Sequence, residues 1–301
     1  MNHQTTTTQS TDTMGRFLAL GSATFLGLNT TLARLAYEGG SNPGTVVFLR
    51  ISLTALAIGI LIALTRRGFS LPRMAILPLI GVSASVVLQG TSYLSSVSYI
   101  PVGLAVLLFY TYPLMVAAAS QFIDKQKIDR ARLIAFGAAF IGIGMAVGPS
   151  FNVLDWRGIV LALMGGFGVM ATFMFTSRAL KYVKPTSVSF YSNVFAVPMM
   201  AVMMVMLGGF EPPTTGMGIA GLTGVCVFYG LAILMLYAAI HSIGKTMTAL
   251  LSNLEPLVSI IAAALILGET LTGIQYLGGL IVVISLVTGD WMARRRTPGQ
   301  G

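Results

Sequence analysis

Long apolar segments, separated by short groups of charged, glycine or proline residues, run through almost the whole chain. They lie near 17–37, 44–65, 74–96, 98–123, 132–149, 158–179, 185–207, 214–240, 245–267 and 271–291. Each has about the 20 residues that a helix needs to cross a bilayer, and none alternates like a strand of an outer-membrane barrel. The pattern therefore predicts an all-α integral membrane protein with ten transmembrane helices.

The composition supports this prediction. Of the 301 residues, 55% are hydrophobic and only 9% are charged, whereas about a quarter of the residues in a soluble protein carry charge. So few charges cannot cover the surface of a water-soluble protein of this size. The single cysteine, Cys226, leaves no partner for an intrachain disulfide or a cysteine-rich zinc cluster. The sequence predicts neither a metal nor a cofactor.

The distribution of basic residues predicts the orientation of the helices. With the N-terminus inside, fifteen of the eighteen Lys and Arg residues fall on one side: Arg16, Arg66, Arg67, Arg73, Lys125, Lys127, Arg130, Arg132, Arg178, Lys181, Lys184, Lys245, Arg294, Arg295 and Arg296. The other side receives only Arg157, together with Glu38, Asp155, Glu211 and Glu269. Because positive charge in short loops marks the cytoplasmic face, both termini are predicted to be cytoplasmic. The net charge of +9 then reflects topology and contact with anionic lipid, and no binding of nucleic acid is expected.

The two halves of the chain are related by an offset of 143 residues. This offset superposes Pro113 on Pro256, and it carries each of the first five apolar segments onto its counterpart in the second five. Because five is odd, the second copy enters the membrane from the opposite side, as in the inverted repeats of many secondary transporters. The predicted organisation is a disordered cytoplasmic tail over 1–15, five-helix repeats over 16–149 and 150–292, and a basic cytoplasmic tail over 293–301.

The ninth and tenth segments carry the motifs of a known family. They read Leu-Glu-Pro at 254–256, Leu-Gly-Glu at 267–269 and Gly-Gly at 278–279. In these motifs the chain resembles the EamA-like family of the drug/metabolite transporter superfamily. Arg50 and Asn29 match further positions of that family, whereas the first repeat departs from it with Tyr112 in place of Glu255. The resemblance implies export of a small metabolite by alternating access, and it leaves the substrate open.

Three charges fall inside the apolar segments: Arg34, Arg50 and Glu255. Ionisable groups are costly there and usually face the protein interior or a water-filled cavity. Glu255 lies ten residues beyond Lys245, about 15 Å into the membrane. It is either a functional group, which couples proton movement to transport or contacts a cationic ammonium, or a structural carboxylate, which is hydrogen-bonded beside Pro256 or paired with a buried arginine. Arg50 and Arg34 either hold a substrate carboxylate or have a structural role, reaching outward or pairing with an acid.

Polar and aromatic residues in the same segments mark a candidate substrate site. Besides Arg50, the predicted binding residues are Asn29, Gln89, Tyr93, Tyr110, Tyr112, Tyr229 and Asn253, with Tyr191 and Asn193 as further candidates. Small-molecule pockets combine apolar and aromatic walls with a few polar groups, although each tyrosine also fits simple helix packing. Pro113 and Pro256 each remove one intrahelical hydrogen bond. Their equivalent repeat positions favour hinges over prolines that are merely tolerated by neighbouring helices.

The expected function is transport of a small molecule. We expect a secondary active carrier in the inner membrane whose substrate is an amino-acid-like or amphipathic metabolite, with protons as the candidate coupling ion and a monomer or homodimer as the working unit. A passive facilitator or channel would also place polar residues at mid-membrane. An intramembrane enzyme is disfavoured, because the sequence holds no HExxH or GxSxG motif and no pair of aspartates within the spans.

Overall fold

The computed structural model describes residues 2–65, 71–96, 99–100, 102–125, 130–148, 155–206, 208–267 and 272–295. All regular structure in these ranges is helical. The helices are α1 Asn2–Glu38, α2 Pro43–Leu64, α3 Arg73–Ser96, α4 Val102–Phe109, α5 Tyr112–Ile123, α6 Arg130–Val147, α7 Trp156–Ala179, α8 Pro185–Met206, α9 Gly216–Leu251, α10 Leu254–Leu267 and α11 Gly273–Arg295.

These helices form ten spans because two spans are divided. The fourth span consists of α4 and α5, with a break at Tyr110 and Thr111. Helix α9 forms the eighth span, bends at Gly244 and continues as the first half of the ninth, which α10 completes. Six helical segments of the described chain are long and apolar enough to cross a membrane, and α6, α10 and α11 contain shorter apolar helices. The predicted all-α membrane fold is confirmed.

Two helix boundaries differ from the sequence prediction. Helix α1 begins at Asn2, inside the predicted tail, and an ion pair of 2.8 Å between Asp12 and Arg16 joins its polar start to the apolar segment. The eighth and ninth segments are not separated by a loop. Gly244 instead adopts φ +77° and ψ 161°, a non-helical conformation that is essentially confined to glycine, so the two helical parts of α9 meet there at a kink.

The packing of the helices repeats with the 143-residue offset. Helix α1 packs against α9 as α7 packs against α3, while α2 pairs with α8 and α6 pairs with α11. Single contacts recur as well. A Cβ on Gly15 would lie 2.6 Å from Ile243 Cγ2, and a Cβ on Gly158, 143 residues later, would lie 2.7 Å from the Cγ2 of Ile100, the counterpart of Ile243. The two halves therefore share one fold, inverted in the membrane.

Helices α6 and α11 approach each other backbone to backbone. A Cβ on Gly142 would lie 2.8 Å from the Gly278 carbonyl oxygen and 2.9 Å from the backbone nitrogen of Val282. Small residues at such contacts let membrane helices pack closely. Because the obstacle is backbone, it cannot move aside as the end of a flexible side chain can.

We expect Gly142→Ala to destabilise the protein by about 1–3 kcal/mol, the usual cost of overpacking, and to lower its thermal midpoint in detergent by several degrees. Gly137→Ala is the matched control on the same helix, because nothing lies within 4 Å of its Cβ position. That change should leave the midpoint unchanged or raise it, since alanine is the better helix former. Equal midpoints for the two variants would contradict the close α6–α11 contact.

Candidate substrate site

The fourth and ninth spans break at equivalent positions near the middle of the membrane. In the fourth span, the backbone nitrogen of Thr111 donates to the Leu108 carbonyl oxygen, three residues back, at 3.2 Å. In the ninth span, the backbone nitrogen of Asn253 donates to the Leu250 carbonyl oxygen, also three residues back, at 3.1 Å. These tight turns interrupt the regular α-helical pattern. Transporter binding sites are commonly built at such discontinuous helices.

Each break directly precedes one of the two prolines singled out by the repeat. Pro113 lies in the first turn of α5, and Pro256 lies in the first turn of α10. A proline is well tolerated there, because a first-turn N–H has no intrahelical acceptor. The prolines therefore begin second half-helices, where the sequence pattern suggested kinks in continuous ones. Their role as hinges stays a prediction.

Five aromatic side chains gather at the break in the fourth span, and we call them the aromatic cluster. The ring of Phe109 has its centroid 4.9 Å from that of Tyr93, 5.5 Å from that of Tyr110 and 6.1 Å from that of Tyr112. Tyr112 in turn stacks on Phe173 at 5.9 Å. Sequence reasoning named the three tyrosines and missed both phenylalanines, because it selected residues with polar groups.

Glu255 extends from the break in the second repeat to the aromatic cluster. Electrostatic interactions link its carboxylate to Tyr93, Tyr110 and Tyr112. Tyr110 and Tyr112 are buried, whereas Glu255 remains partly accessible. Four of the predicted site residues thus lie together. They are Tyr93 on the third span, Tyr110 and Tyr112 on the fourth, and Glu255 on the ninth.

Arg50 on α2 is placed by contacts with α1 and α9. Its Cζ lies 4.5 Å from the centre of the Tyr229 ring, in the arrangement of a cation–π contact. Its Nη1 donates to Asn29 Oδ1 at 3.5 Å, which is long for a hydrogen bond. The amide of Asn29 is itself fixed, since it donates to the Val225 carbonyl oxygen at 2.8 Å. Arg50, Asn29 and Tyr229, all predicted site residues, therefore form one group.

The guanidinium of Arg50 lacks an anionic partner within the described ranges. Its Nε is buried and has no hydrogen-bond partner there, and no carboxylate of that part of the chain lies within ion-pair distance of it. Arg50 and Glu255 nevertheless interact electrostatically, and α1 touches α10 where Thr30 Oγ1 and Ser259 Oγ are 2.5 Å apart. Two opposite charges, one from each repeat, thus share a region without neutralising each other directly.

Two predicted residues have other contacts. Arg34 pairs with Glu38 one turn along α1, with 3.3 Å between Nε and Oε1, and its side chain is 54% exposed. Asn253 is 2% exposed, and its side-chain amide donates to the Leu250 carbonyl oxygen at 3.0 Å. The pair with Glu38 fits the structural interpretation of Arg34. The bond to Leu250 shows that Asn253 supports the break in the ninth span.

The remaining candidates lie in helix contacts. Gln89 is one turn before Tyr93, where α3 meets α7, and a Cβ on Gly168 would lie 2.9 Å from Gln89 Cβ. On α8, the side-chain amide of Asn193 donates to the carbonyl oxygen four residues back at 2.7 Å, and Tyr191 packs edge-on against the neighbouring Phe190 ring at 5.1 Å. None of these three residues has a described bond to Arg50 or Glu255.

Lys245, one of the fifteen basic residues assigned to the predicted cytoplasmic side, is buried. It directly follows the kink at Gly244, and its side chain is 7% exposed. A buried ammonium needs a counter-charge, and Asp124 at the end of the first-repeat helix α5 supplies it as an ion pair.

Inverted repeats with discontinuous spans around buried charges are features of a membrane transporter. The model of the EamA-like transporter family matches residues 13–148 and 156–288, once in each repeat. The chain belongs to this family, which confirms the resemblance seen in its motifs. It is therefore a multi-pass membrane protein of a transporter family, and that family is not one of enzymes.

Several relatives are similar over long stretches. The threonine/homoserine exporter RhtA of Salmonella typhimurium (strain SL1344) is 27% identical over 89% of this chain and 88% of its own length. A probable amino-acid metabolite efflux pump of Salmonella typhimurium (strain LT2) is 24% identical over 62% of this chain. The chain spans 66% of the length of that pump and 59% of an uncharacterized transporter of Synechocystis sp..

The fold also resembles that of a protein solved by crystallography. The two structures align with a TM-score of 0.76 over 96% of this chain and 99% of the other, at 17% sequence identity. At that identity the likeness concerns the fold alone. It supports the ten-span architecture described above.

Proposed function

We propose that the protein is a secondary active carrier that exports small amino-acid-like metabolites across the inner membrane by alternating access. The substrate carboxylate binds Arg50, its ammonium and apolar parts lie on the aromatic cluster, and Glu255 carries the coupling proton. The N-terminus is cytoplasmic in this proposal, as the distribution of basic residues predicts.

The observation that carries the proposal is the guanidinium of Arg50, which has no carboxylate partner among the residues that the structure describes. A charge that is partly withdrawn from water is costly unless it is paired, and the described contacts of the half-buried Arg50 are a tyrosine face and one long bond to an amide. A bound carboxylate would supply the missing charge and could accept two parallel N–H bonds from the guanidinium. The site is therefore suited to substrates that carry a carboxylate.

The rest of the region accounts for the other parts of an amino acid. An ammonium group is attracted to the faces of aromatic rings, which the aromatic cluster presents beside Glu255. The carboxylate of Glu255, which is partly accessible beside these tyrosines, can gain and lose a proton. A proton bound in one orientation of the carrier and released in the other would couple transport to the proton gradient.

The direction and the substrate class are supported by relatives. Two of them are named as an exporter of threonine and homoserine and as a probable efflux pump for amino-acid metabolites. Export of a related compound by this chain agrees with the Arg50 site, which accepts a carboxylate, and with the apolar and aromatic surface beside it.

Ligand-induced thermal stabilisation of the purified protein tests the substrate class. A ligand that binds the folded state raises the midpoint, and the rise grows with the logarithm of its concentration relative to its Kd. Amino acids should raise it, whereas the matching amino amides, in which only the carboxylate is lost, and neutral sugars should not. Equal stabilisation by an amino acid and its amide would contradict the proposed role of Arg50.

A further inference from the structure

Helices α5 and α9 meet at the membrane face at which α1 begins, which we call the N-terminal face. Asp124 at the end of α5 pairs with Lys245, and one turn deeper Thr246 Oγ1 and Ser120 Oγ are 3.1 Å apart. We call these two contacts the α5–α9 bridge. They join the two repeats through residues more than 120 positions apart in sequence.

The bridge lies over a closely packed layer. On α9, residues 245–251 are all buried, and on α5 the layer contains Val116, 0% exposed, and Ala117, 2% exposed. This layer stands between the N-terminal face and the breaks that hold Tyr110, Tyr112 and Glu255. The candidate site is thus closed toward the N-terminal face.

The equivalent region toward the opposite face differs in packing and in chemistry. There the repeat symmetry pairs α4 with α10, which pack against each other much less than α5 and α9 do. The positions 143 residues from the four bridge residues hold Val102, Gly103, Ala263 and Leu267. Such side chains can form neither an ion pair nor a hydrogen bond. The four positions equivalent to the bridge residues therefore cannot form such polar contacts at the opposite face.

We infer that the α5–α9 bridge is a gate, which keeps the N-terminal face closed and breaks each time the site opens toward it. This inference rests on the alternating access proposed above. When the site opens to the N-terminal face, each repeat adopts the arrangement that the other had before, and α5 must then separate from α9. Gly244 lies directly before Lys245 and is exposed, with nothing within 4 Å of its Cβ position. The bend at this glycine provides a place where the ninth span can move relative to the eighth.

An ion pair is suited to reversible closure at this position. A fully buried ion pair is difficult to break, because its two charges lose their mutual attraction and are not hydrated in exchange. The Asp124 side chain is 29% exposed, so water reaches the pair as the helices separate. Hydration of the freed charges then offsets the lost attraction.

Cysteine accessibility tests the gate independently of any substrate. In a Cys226→Ser background, Ala117→Cys places a reporter thiol in the packed layer below the bridge. Lys245→Met removes the charge of the bridge. We expect it to raise the rate at which an impermeant maleimide, added at the N-terminal face, labels the reporter by about tenfold. Such an increase corresponds to a roughly tenfold larger population of the state that is open to this face. Lys181→Met removes an exposed charge at the same face and should leave the rate unchanged.

A second reporter separates gating from general loosening. Cys226, the native cysteine of α9, is close enough to Arg50 to interact with it electrostatically. In an otherwise native chain, Lys245→Met should slow labelling of Cys226 from the opposite face, because the two open states exclude each other. The exchanged pair Lys245→Asp with Asp124→Lys, which also guards against misfolding of the single variant, should return both rates toward those of the parent protein.

Three results would overturn the inference. These are an unchanged labelling rate of the Ala117→Cys reporter when Lys245→Met is introduced, faster labelling of both reporters, and failure of the folded exchanged pair to restore the rates. If the gate responds as expected and yet no amino acid is transported, the proposed substrate is wrong while the gate stands.

Discussion

Replacement of Glu255 by glutamine is expected to abolish the dependence of transport on a pH gradient while substrate exchange continues. Glutamine has nearly the same shape as glutamate, but it cannot take up or release a proton. Transport against a gradient should fall to the level reached with no pH difference. Uptake of labelled substrate into proteoliposomes, with and without an imposed pH gradient, measures this effect.

Glu38→Gln is the control for this experiment. Glu38 is a carboxylate at the end of α1, it is 57% exposed, and it pairs with Arg34 outside the candidate site. Its replacement should leave gradient-driven uptake intact. If Glu255→Gln also keeps full gradient-driven uptake, then Glu255 is a structural carboxylate beside the ninth-span break, and the coupling ion binds elsewhere.

Removal of the Arg50 guanidinium is expected to weaken the binding of carboxylated substrates far more than the binding of their amides. Loss of one partner from a buried, hydrogen-bonded charge pair costs about 2–5 kcal/mol, which corresponds to a loss of affinity of roughly 30-fold or more. Arg50→Ala should therefore raise the Kd of an amino acid by at least this factor. Titration of the purified protein by calorimetry or fluorescence measures the change.

Two further variants make the Arg50 prediction specific. Arg50→Lys keeps the charge but loses the planar pair of donors, so its affinity should fall between those of the parent protein and Arg50→Ala. Arg34→Ala removes an exposed arginine that pairs with Glu38, and it should leave the Kd unchanged. A similar loss of affinity for amino acids and amides in Arg50→Ala would indicate that Arg50 supports packing against Tyr229 rather than binding the substrate.

The sequence predicted the membrane fold well because hydropathy and repeat symmetry are local or regular signals. Apolar segments give the spans directly, and the 143-residue offset reappears in contacts such as Gly15 with Ile243 and Gly158 with Ile100. Pro113 and Pro256 also located both helix breaks. The geometry of the breaks could not be predicted, because a proline in the middle of a span fits either a kink or the first turn of a new half-helix.

The sequence was a weaker guide where function depends on partners distant in the chain. The burial of Lys245 cannot be predicted from the sequence, since nothing near it in the chain indicates its partner Asp124, which lies 121 residues earlier. The central place of Phe109 in the aromatic cluster was missed for a similar reason, because an apolar ring looks like any other lipid-facing or packed residue. Only the tertiary contacts distinguish these cases.

The repeats share a fold but differ in the chemistry of equivalent positions. Arg50 corresponds to Asn193 in the second repeat, and Glu255 corresponds to Tyr112 in the first. Each charge therefore occurs once, and the region between the repeats is chemically asymmetric although its framework is symmetric. This asymmetry permits one substrate site and one proton site within a structure whose two halves can exchange arrangements.

Counterflow in proteoliposomes most directly tests the claim that the protein is an alternating-access carrier. Vesicles are loaded with an unlabelled amino acid that stabilises the purified protein, and a trace of the same labelled compound is added outside. A carrier should accumulate the label transiently above its equilibrium level, and uptake should saturate with concentration. Label that only equilibrates, without stimulation by the loaded compound and without saturation, would show a channel or facilitator and would contradict the proposed mechanism.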